Sequence, residues 1–120
     1  MNKKILIVDD DNRNIFALSA VLRSRSFECI SCLSASEALK ILKTNEHFDA
    51  VLLDMMMPEI DGYEAIRLIK EIPSRVVTPI IAVTAQAMLG DREKCLQAGA
   101  DDYLSKPVDM DKLFEILRHL

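Results

Sequence analysis

The sequence predicts an α/β fold built on a doubly wound parallel sheet. Short runs of β-branched residues and leucine recur along the chain. Each is followed by a segment with apolar residues at helical spacing, and the pair repeats five times within 120 residues, the length of one domain. Strands that alternate with helices must run parallel, with helices covering both faces of the sheet. The open strand orders that fit include 2-1-3-4-5, in which strands 1 and 3 flank the point where the winding reverses.

Lys4-Ile5-Leu6-Ile7-Val8 suits a strand buried on both faces. Asn12 to Arg25 follows as a helix with Ile15, Leu18, Val21 and Leu22 inward, capped by Asp11 or Asn12. Phe27 to Leu33 reads as the second strand. Ser34-x-x-Glu37 is a capping box that opens a helix with Ala35, Ala38, Leu39 and Leu42 inward. Ala50-Val51-Leu52-Leu53 is the third strand, and Asp61-x-x-Glu64 caps a helix bearing Ala65, Ile66 and Ile69. Pro79 to Val83 is the fourth strand, with proline tolerated at its first position. A helix from about Ala87 ends at Gly99, a left-handed cap. Asp102 to Ser105 is a short fifth strand. Asp109 caps a last helix with Met110, Leu113, Phe114 and Leu117 on one side.

Composition narrows the function classes. Half of the residues are hydrophobic and 28% are charged, which excludes disorder and a coiled coil as readings of the whole chain. No apolar run reaches the roughly 20 residues of a membrane span, and the run after Lys4 is too short for a signal peptide, so a cytoplasmic domain without membrane contact is expected. The net charge of -4 and the lack of a basic stripe argue against a nucleic-acid partner. Cys29 and Cys32 have C-x-x-C spacing but lie in an apolar strand, and Cys95 is alone. Buried thiols in a reducing compartment are the expected reading.

In such sheets ligands bind at the carboxyl ends of the strands. Asp9, Asp10 and Asp11 follow the first strand, Asp54 the third, Thr84 the fourth, and Lys106 and Pro107 the fifth. Carboxylates converging on one edge repel one another unless a cation joins them. A hard divalent ion such as Mg2+ fits, since it needs only one or two carboxylates plus waters and a phosphate. Carboxylate, metal, hydroxyl and ammonium are the parts that phosphoryl transfer requires. Competing chemistries fail. With only three glycines there is no dinucleotide fingerprint and no P-loop. Asp10-x-Asn12-x-Asn14 starts like a calcium loop, but Ile15 stands where glycine is needed and Val21 where glutamate is needed.

Four blocks carry a resemblance: Ile7-Val8-Asp9-Asp10, Leu53 to Gly62, Val83-Thr84-Ala85 and Tyr103 to Pro107. In order and spacing they resemble the receiver domain of two-component signalling, across essentially the whole chain. The resemblance implies the five-stranded receiver fold, order 2-1-3-4-5, as a single domain over residues 1–120. It implies that Asp54 is the phosphoacceptor and attacks a phosphohistidine on a partner. Asp10, Asp54 and the backbone carbonyl of Met56 would ligate Mg2+, with Asp9 acting indirectly. Lys106 and Thr84 would hold phosphoryl oxygens. Thr84 and Tyr103 would shift together and remodel the face formed by the fourth helix, fifth strand and fifth helix. Lys106-Pro107 would be a cis peptide. Met56 and Gln86 occupy the positions that tune phosphate lifetime in the family, and Met56 cannot hydrogen-bond an attacking water.

The Asp9 to Asn14 and Gly90 to Cys95 segments further resemble receivers appended to hybrid sensor kinases. The implied partners are a histidine kinase or a histidine phosphotransfer domain, with docking at the first turn of the first helix and the loop after Lys106. The domain would catalyse only its own phosphorylation and hydrolysis, and would be a monomer or weak dimer. Most of Met88, Leu89 and Phe114 are expected in the core. The rival reading is a phosphorylation-independent scaffold on the same fold. The presence of Asp9, Asp10, Asp54, Thr84 and Lys106 together weighs against it. A small phosphatase is disfavoured because Arg13 stands where that family resemblance calls for a small residue.

Overall fold

The computed structural model describes residues 2–85 and 90–120. The strands are β1 (Lys4–Val8), β2 (Glu28–Cys32), β3 (Ala50–Asp54), β4 (Ile80–Thr84) and β5 (Asp102–Ser105). They alternate with α1 (Asn12–Ser24), α2 (Ala35–Leu42), α3 (Gly62–Lys70), α4 (Asp91–Ala98) and α5 (Met110–Arg118). All strand pairs are parallel, in the order β2-β1-β3-β4-β5. The predicted start of α4 near Ala87, and the residues Gln86, Met88 and Leu89, lie outside the described residues.

Side chains alternate across a strand, so each central strand feeds two cores. Leu6, Val8, Val51, Leu53, Ile80 and Ala82 pack on one face under α2, α3 and α4. Ile5, Ile7, Ala50, Leu52, Ile81 and Val83 pack on the other under α1 and α5. That two-sided burial explains why β1, β3 and β4 read as unbroken apolar runs rather than alternating ones.

The helix starts follow the sequence signals. Asp11 caps α1 by accepting from the Arg13 N–H, which settles the choice between Asp11 and Asn12. The Ser34 hydroxyl accepts from Glu37 N–H, Asp61 from Tyr63 N–H, and Asp109 from the N–H groups of Asp111 and Lys112. Gly99 ends α4 at φ 120°, a conformation that L side chains rarely adopt. Gly62 is favoured for a different reason: a Cβ there would stand 2.6 Å from Met55 Cε, the movable end of that side chain, and a tight 3.0 Å from Met55 Cα.

The structure departs from the sequence reading at two points. Val21 is not on the buried face of α1. Ile15, Leu18, Ser19 and Leu22 are, at offsets of three, four and seven residues, and Val21 falls about 100° to one side of Leu22. A one-turn 3-10 helix at Pro73–Arg75, not anticipated, precedes β4. Arg75 within it is only 5% exposed and donates to the carbonyls of Leu42, Thr44 and Glu46, with its guanidinium over the Phe48 ring. Among the described residues no helix is long and apolar enough to cross a membrane.

Cys29 and Cys32 are three residues apart on β2, so they face opposite sides of the sheet and belong to different cores. Burial pushes the Cys32 thiol up to about 11 and raises those of Cys29 and Cys95. The C-x-x-C spacing therefore holds packed thiols rather than a metal or redox pair.

Candidate functional site

The register of the sheet builds the site. Val8 pairs with Leu53, Asp54 with Val83, and Thr84 with Ser105, so the four strand ends finish level. Asp9, Asp54, Thr84 and Lys106 then meet on one edge. Asp9, Asp10 and Asp54 each present a carboxylate oxygen, all within 4.8 Å of one another. Asp9 and Asp54 are both 3% exposed, whereas Asp10 opens to solvent.

Each buried carboxylate is held from several sides. Asp9 Oδ1 accepts from the Asp11 N–H at 2.9 Å, and Oδ2 accepts from Asn14 Nδ2 at 2.5 Å. Lys106 Nζ sits 3.2 Å from Asp9 Oδ2 and 3.4 Å from Asp54 Oδ2. Asp54 Oδ1 accepts from Met56 N–H at 2.9 Å, which folds the β3–α3 loop back over the end of β3. The Thr84 carbonyl accepts from Lys106 N–H at 2.7 Å, and Thr84 itself is buried. The Lys106–Pro107 peptide is cis.

The Lys106 ammonium faces two buried carboxylates, and burial is the first influence on the protonation of both Asp54 and Lys106. Burial pushes the Asp54 carboxyl above its ordinary range; the Met56 N–H opposes this, Asp9 adds to it, and Lys106 opposes it. Burial works against the charge on Lys106 too, but the Asp54 and Asp9 carboxylates outweigh it and hold that group above its ordinary value. The cluster is an oxygen-only donor set with excess negative charge and an exposed side at Asp10. A small hard cation fits that donor chemistry.

Tyr103 lies on β5, level with Ala82. Its ring packs against the core beneath α4, on the same face of the sheet as Thr84. Its hydroxyl is buried and has no hydrogen-bond partner among the described residues. Met56 is 46% exposed at the rim of the site, while Met57 is buried. Gln86 falls outside the described residues. Residue chemistry alone does not assign Asn14 to the support of Asp9. Its signal lay in position: a helix starting at Asn12 turns the third residue of its first turn back towards the strand end it has just left.

The family model of the response regulator receiver domain matches residues 5–118. The signal transduction histidine-protein kinase BarA of Escherichia coli is 39% identical over 113 residues, which is 94% of this chain and 12% of that kinase. The chain thus spans about an eighth of the length of the kinase it matches. The polar-differentiation response regulator DivK of Brucella ovis is 33% identical over 118 residues, covering 98% of this chain and 95% of DivK. Among solved structures, the receiver domain of sensor histidine kinase PA1611 from Pseudomonas aeruginosa shares 38% identity at a TM-score of 0.88, covering 99% of this chain and 97% of its own. That structure has a magnesium ion coordinated in its active-site cleft. The chain belongs to the response regulator receiver domain family of two-component signalling.

Proposed function

We propose that Asp54 is the phosphoacceptor of this receiver and takes a phosphoryl group from a phosphohistidine on a histidine kinase or phosphotransfer domain. The observation that carries this is the placement of Asp54 at the end of β3, 3.4 Å from Lys106 and within reach of Asp9 and Asp10. An Asp54 carboxylate oxygen attacks phosphorus, the P–N bond to the donor imidazole breaks, and an aspartyl phosphate forms. Asp10, Asp54 and the Met56 carbonyl would hold Mg2+, with Asp9 as an indirect support, and the ion would supply neutralisation of the negative charge that phosphoryl transfer brings to the site. Lys106 neutralises one phosphoryl oxygen and Thr84 donates its hydroxyl to another.

The product carries more negative charge and more acceptor oxygens than the free carboxylate. Thr84 drawn towards those oxygens leaves space on the face it shares with Tyr103. The Tyr103 ring, on that same face, would follow into the space. The domain modifies only itself. Its docking side for the donor is the first turn of α1, just before the 77% exposed Phe16, together with the loop after Lys106.

Intact mass after incubation with acetyl phosphate, with and without Mg2+, tests this reading. One added phosphoryl group that requires both Mg2+ and Asp54, and is absent in Asp54→Asn, is the expected result. No uptake from acetyl phosphate or from a phosphohistidine donor would move the chain to a phosphorylation-independent scaffold.

A further inference from the structure

The loop between β3 and α3 supplies both the Met56 N–H on Asp54 and the Met56 carbonyl assigned to the metal. Its conformation must therefore be fixed to within a fraction of an ångström for either to serve. Three points fix it from within or behind: Met55 N–H donates to Val83 O at 2.8 Å, the Met57 side chain is buried under α2 and α3, and Asp61 caps α3. A fourth tie comes from outside the loop. Glu59 reaches across to the first turn of α2, where one carboxylate oxygen accepts from the Ala35 N–H and the other accepts from the Ser36 hydroxyl at 3.1 Å.

This contact does more than a local cap would. The start of α2 already has its own cap, Ser34, whose hydroxyl takes the Glu37 N–H. Glu59 takes a different N–H, and it comes from a residue 24 positions along the chain. Its negative charge also lies at the positive end of the α2 dipole, where an anion is favoured. The pair of contacts therefore clamps the middle of the site loop to an element that otherwise has no part in the site.

We propose that Glu59 is a positioning residue for the phosphoacceptor site: by clamping the β3–α3 loop to the start of α2, it holds the Met56 carbonyl and N–H where the metal and Asp54 need them. The inference rests on the site assignment above, and the test separates the two. Glu59→Ala removes both hydrogen bonds, Glu59→Gln keeps an acceptor for the Ala35 N–H, and Ser34→Ala weakens α2 without touching the loop. Two readouts are taken on the full chain by NMR: amide exchange without metal, and amide shifts on titration with MgCl2.

Loss of about one net hydrogen bond corresponds to roughly a three- to tenfold change. In Glu59→Ala the amides of Ala35, Met56 and Met57 should exchange faster by about that factor, and Mg2+ binding should weaken similarly. Glu59→Gln should recover most of both, and saturating Mg2+ should restore the extent of phosphorylation in Glu59→Ala. The clamp is overturned if Glu59→Ala speeds exchange at Ala35 alone, with the loop amides as in the wild type. It is equally overturned if Ser34→Ala reproduces the loop effect, since general loosening of α2 would then explain it. A wild-type chain that takes up no Mg2+ would sink the site assignment instead, and the loop amides would still decide the clamp.

Discussion

Lys106 Nζ lies 3.4 Å from Asp54 Oδ2 and 3.2 Å from Asp9 Oδ2, so a single ammonium serves two buried carboxylates at once. That sharing leaves the site short of positive charge. The shortage is a cost to the fold and the means by which the site attracts a cation.

Neutralising Asp54 should therefore stabilise the metal-free protein. Its folded carboxyl titrates above the ordinary range, chiefly because it is buried. The native state holds that proton more tightly than the unfolded chain, so stability falls as pH rises from the ordinary value through the raised one, and the cost remains above it. Asp54→Asn removes the charge. Without metal it should raise the melting temperature near neutral pH by about 4 °C, corresponding to about 1 kcal/mol. Added Mg2+ should stabilise the wild type more than the variant. Thermal unfolding from pH 4 to pH 8, with and without MgCl2, would show a flat difference between the two proteins if the idea is wrong.

Lys106 acts with the opposite sign. Its folded value is raised by Asp54 and Asp9, against the effect of burial. Its contribution to stability is complete below the ordinary lysine value and disappears as pH rises through the raised one. Lys106→Met leaves Asp9 and Asp54 buried together without a cation and should cost about 2 kcal/mol at neutral pH. The variant should also lack the part of alkaline unfolding that belongs to Lys106. Urea unfolding between neutral pH and about pH 11 checks this, and equal alkaline losses in both proteins would refute it. Acid should narrow the gap, because protonating one carboxylate relieves the repulsion.

Most of the fold and the centre of the site were legible because both are written in local patterns. Unbroken apolar runs marked β1, β3 and β4, and Asp, Ser or Gly marked the helix ends. In the order 2-1-3-4-5 the residues that follow each strand share one edge, and that alone groups Asp9, Asp54, Thr84 and Lys106. Contacts set by distant pairing could not be read in this way. Glu59 on Ala35, Asn14 on Asp9 and Arg75 on three carbonyls are side-chain choices that spacing does not specify. Val21 failed for a smaller reason: on a helix one position is 100° of rotation, and Ser19 took the place that hydrophobicity alone assigned to it.

Arg75 should matter for stability and little for chemistry. It is buried at the end of the sheet away from the site and satisfies carbonyls of Leu42, Thr44 and Glu46. Arg75→Ala leaves those carbonyls without their donor and removes the guanidinium from the Phe48 ring, a loss of about 2–4 kcal/mol. Arg75→Lys should recover only part of it, since one ammonium cannot match a planar fork with donors on two sides. Chemical denaturation gives the first quantity, and phosphorylation by acetyl phosphate under folding conditions gives the second. A variant as stable as the wild type would mean that water replaces the guanidinium at those carbonyls.

Met56 sets the last prediction. Its backbone is fixed by the hydrogen bond to Asp54, but its side chain is half exposed at the mouth of the site. Hydrolysis of an aspartyl phosphate needs a water in line with the phosphorus, and a thioether offers that water no useful hydrogen bond. An amide at the same position presents both a donor and an acceptor. Met56→Asn should therefore shorten the lifetime of the phosphorylated state, and one hydrogen bond of about 1 kcal/mol in the transition state corresponds to roughly fivefold. Uptake from acetyl phosphate at saturating Mg2+ should change little, because the substitution leaves the Met56 backbone donor and carbonyl in place. The decay of phosphorylated protein, followed by mass after removal of the donor, measures the difference. An unchanged decay would place control of the lifetime elsewhere in the site, and a slower one would mean that the amide screens the phosphorus from water instead of orienting it.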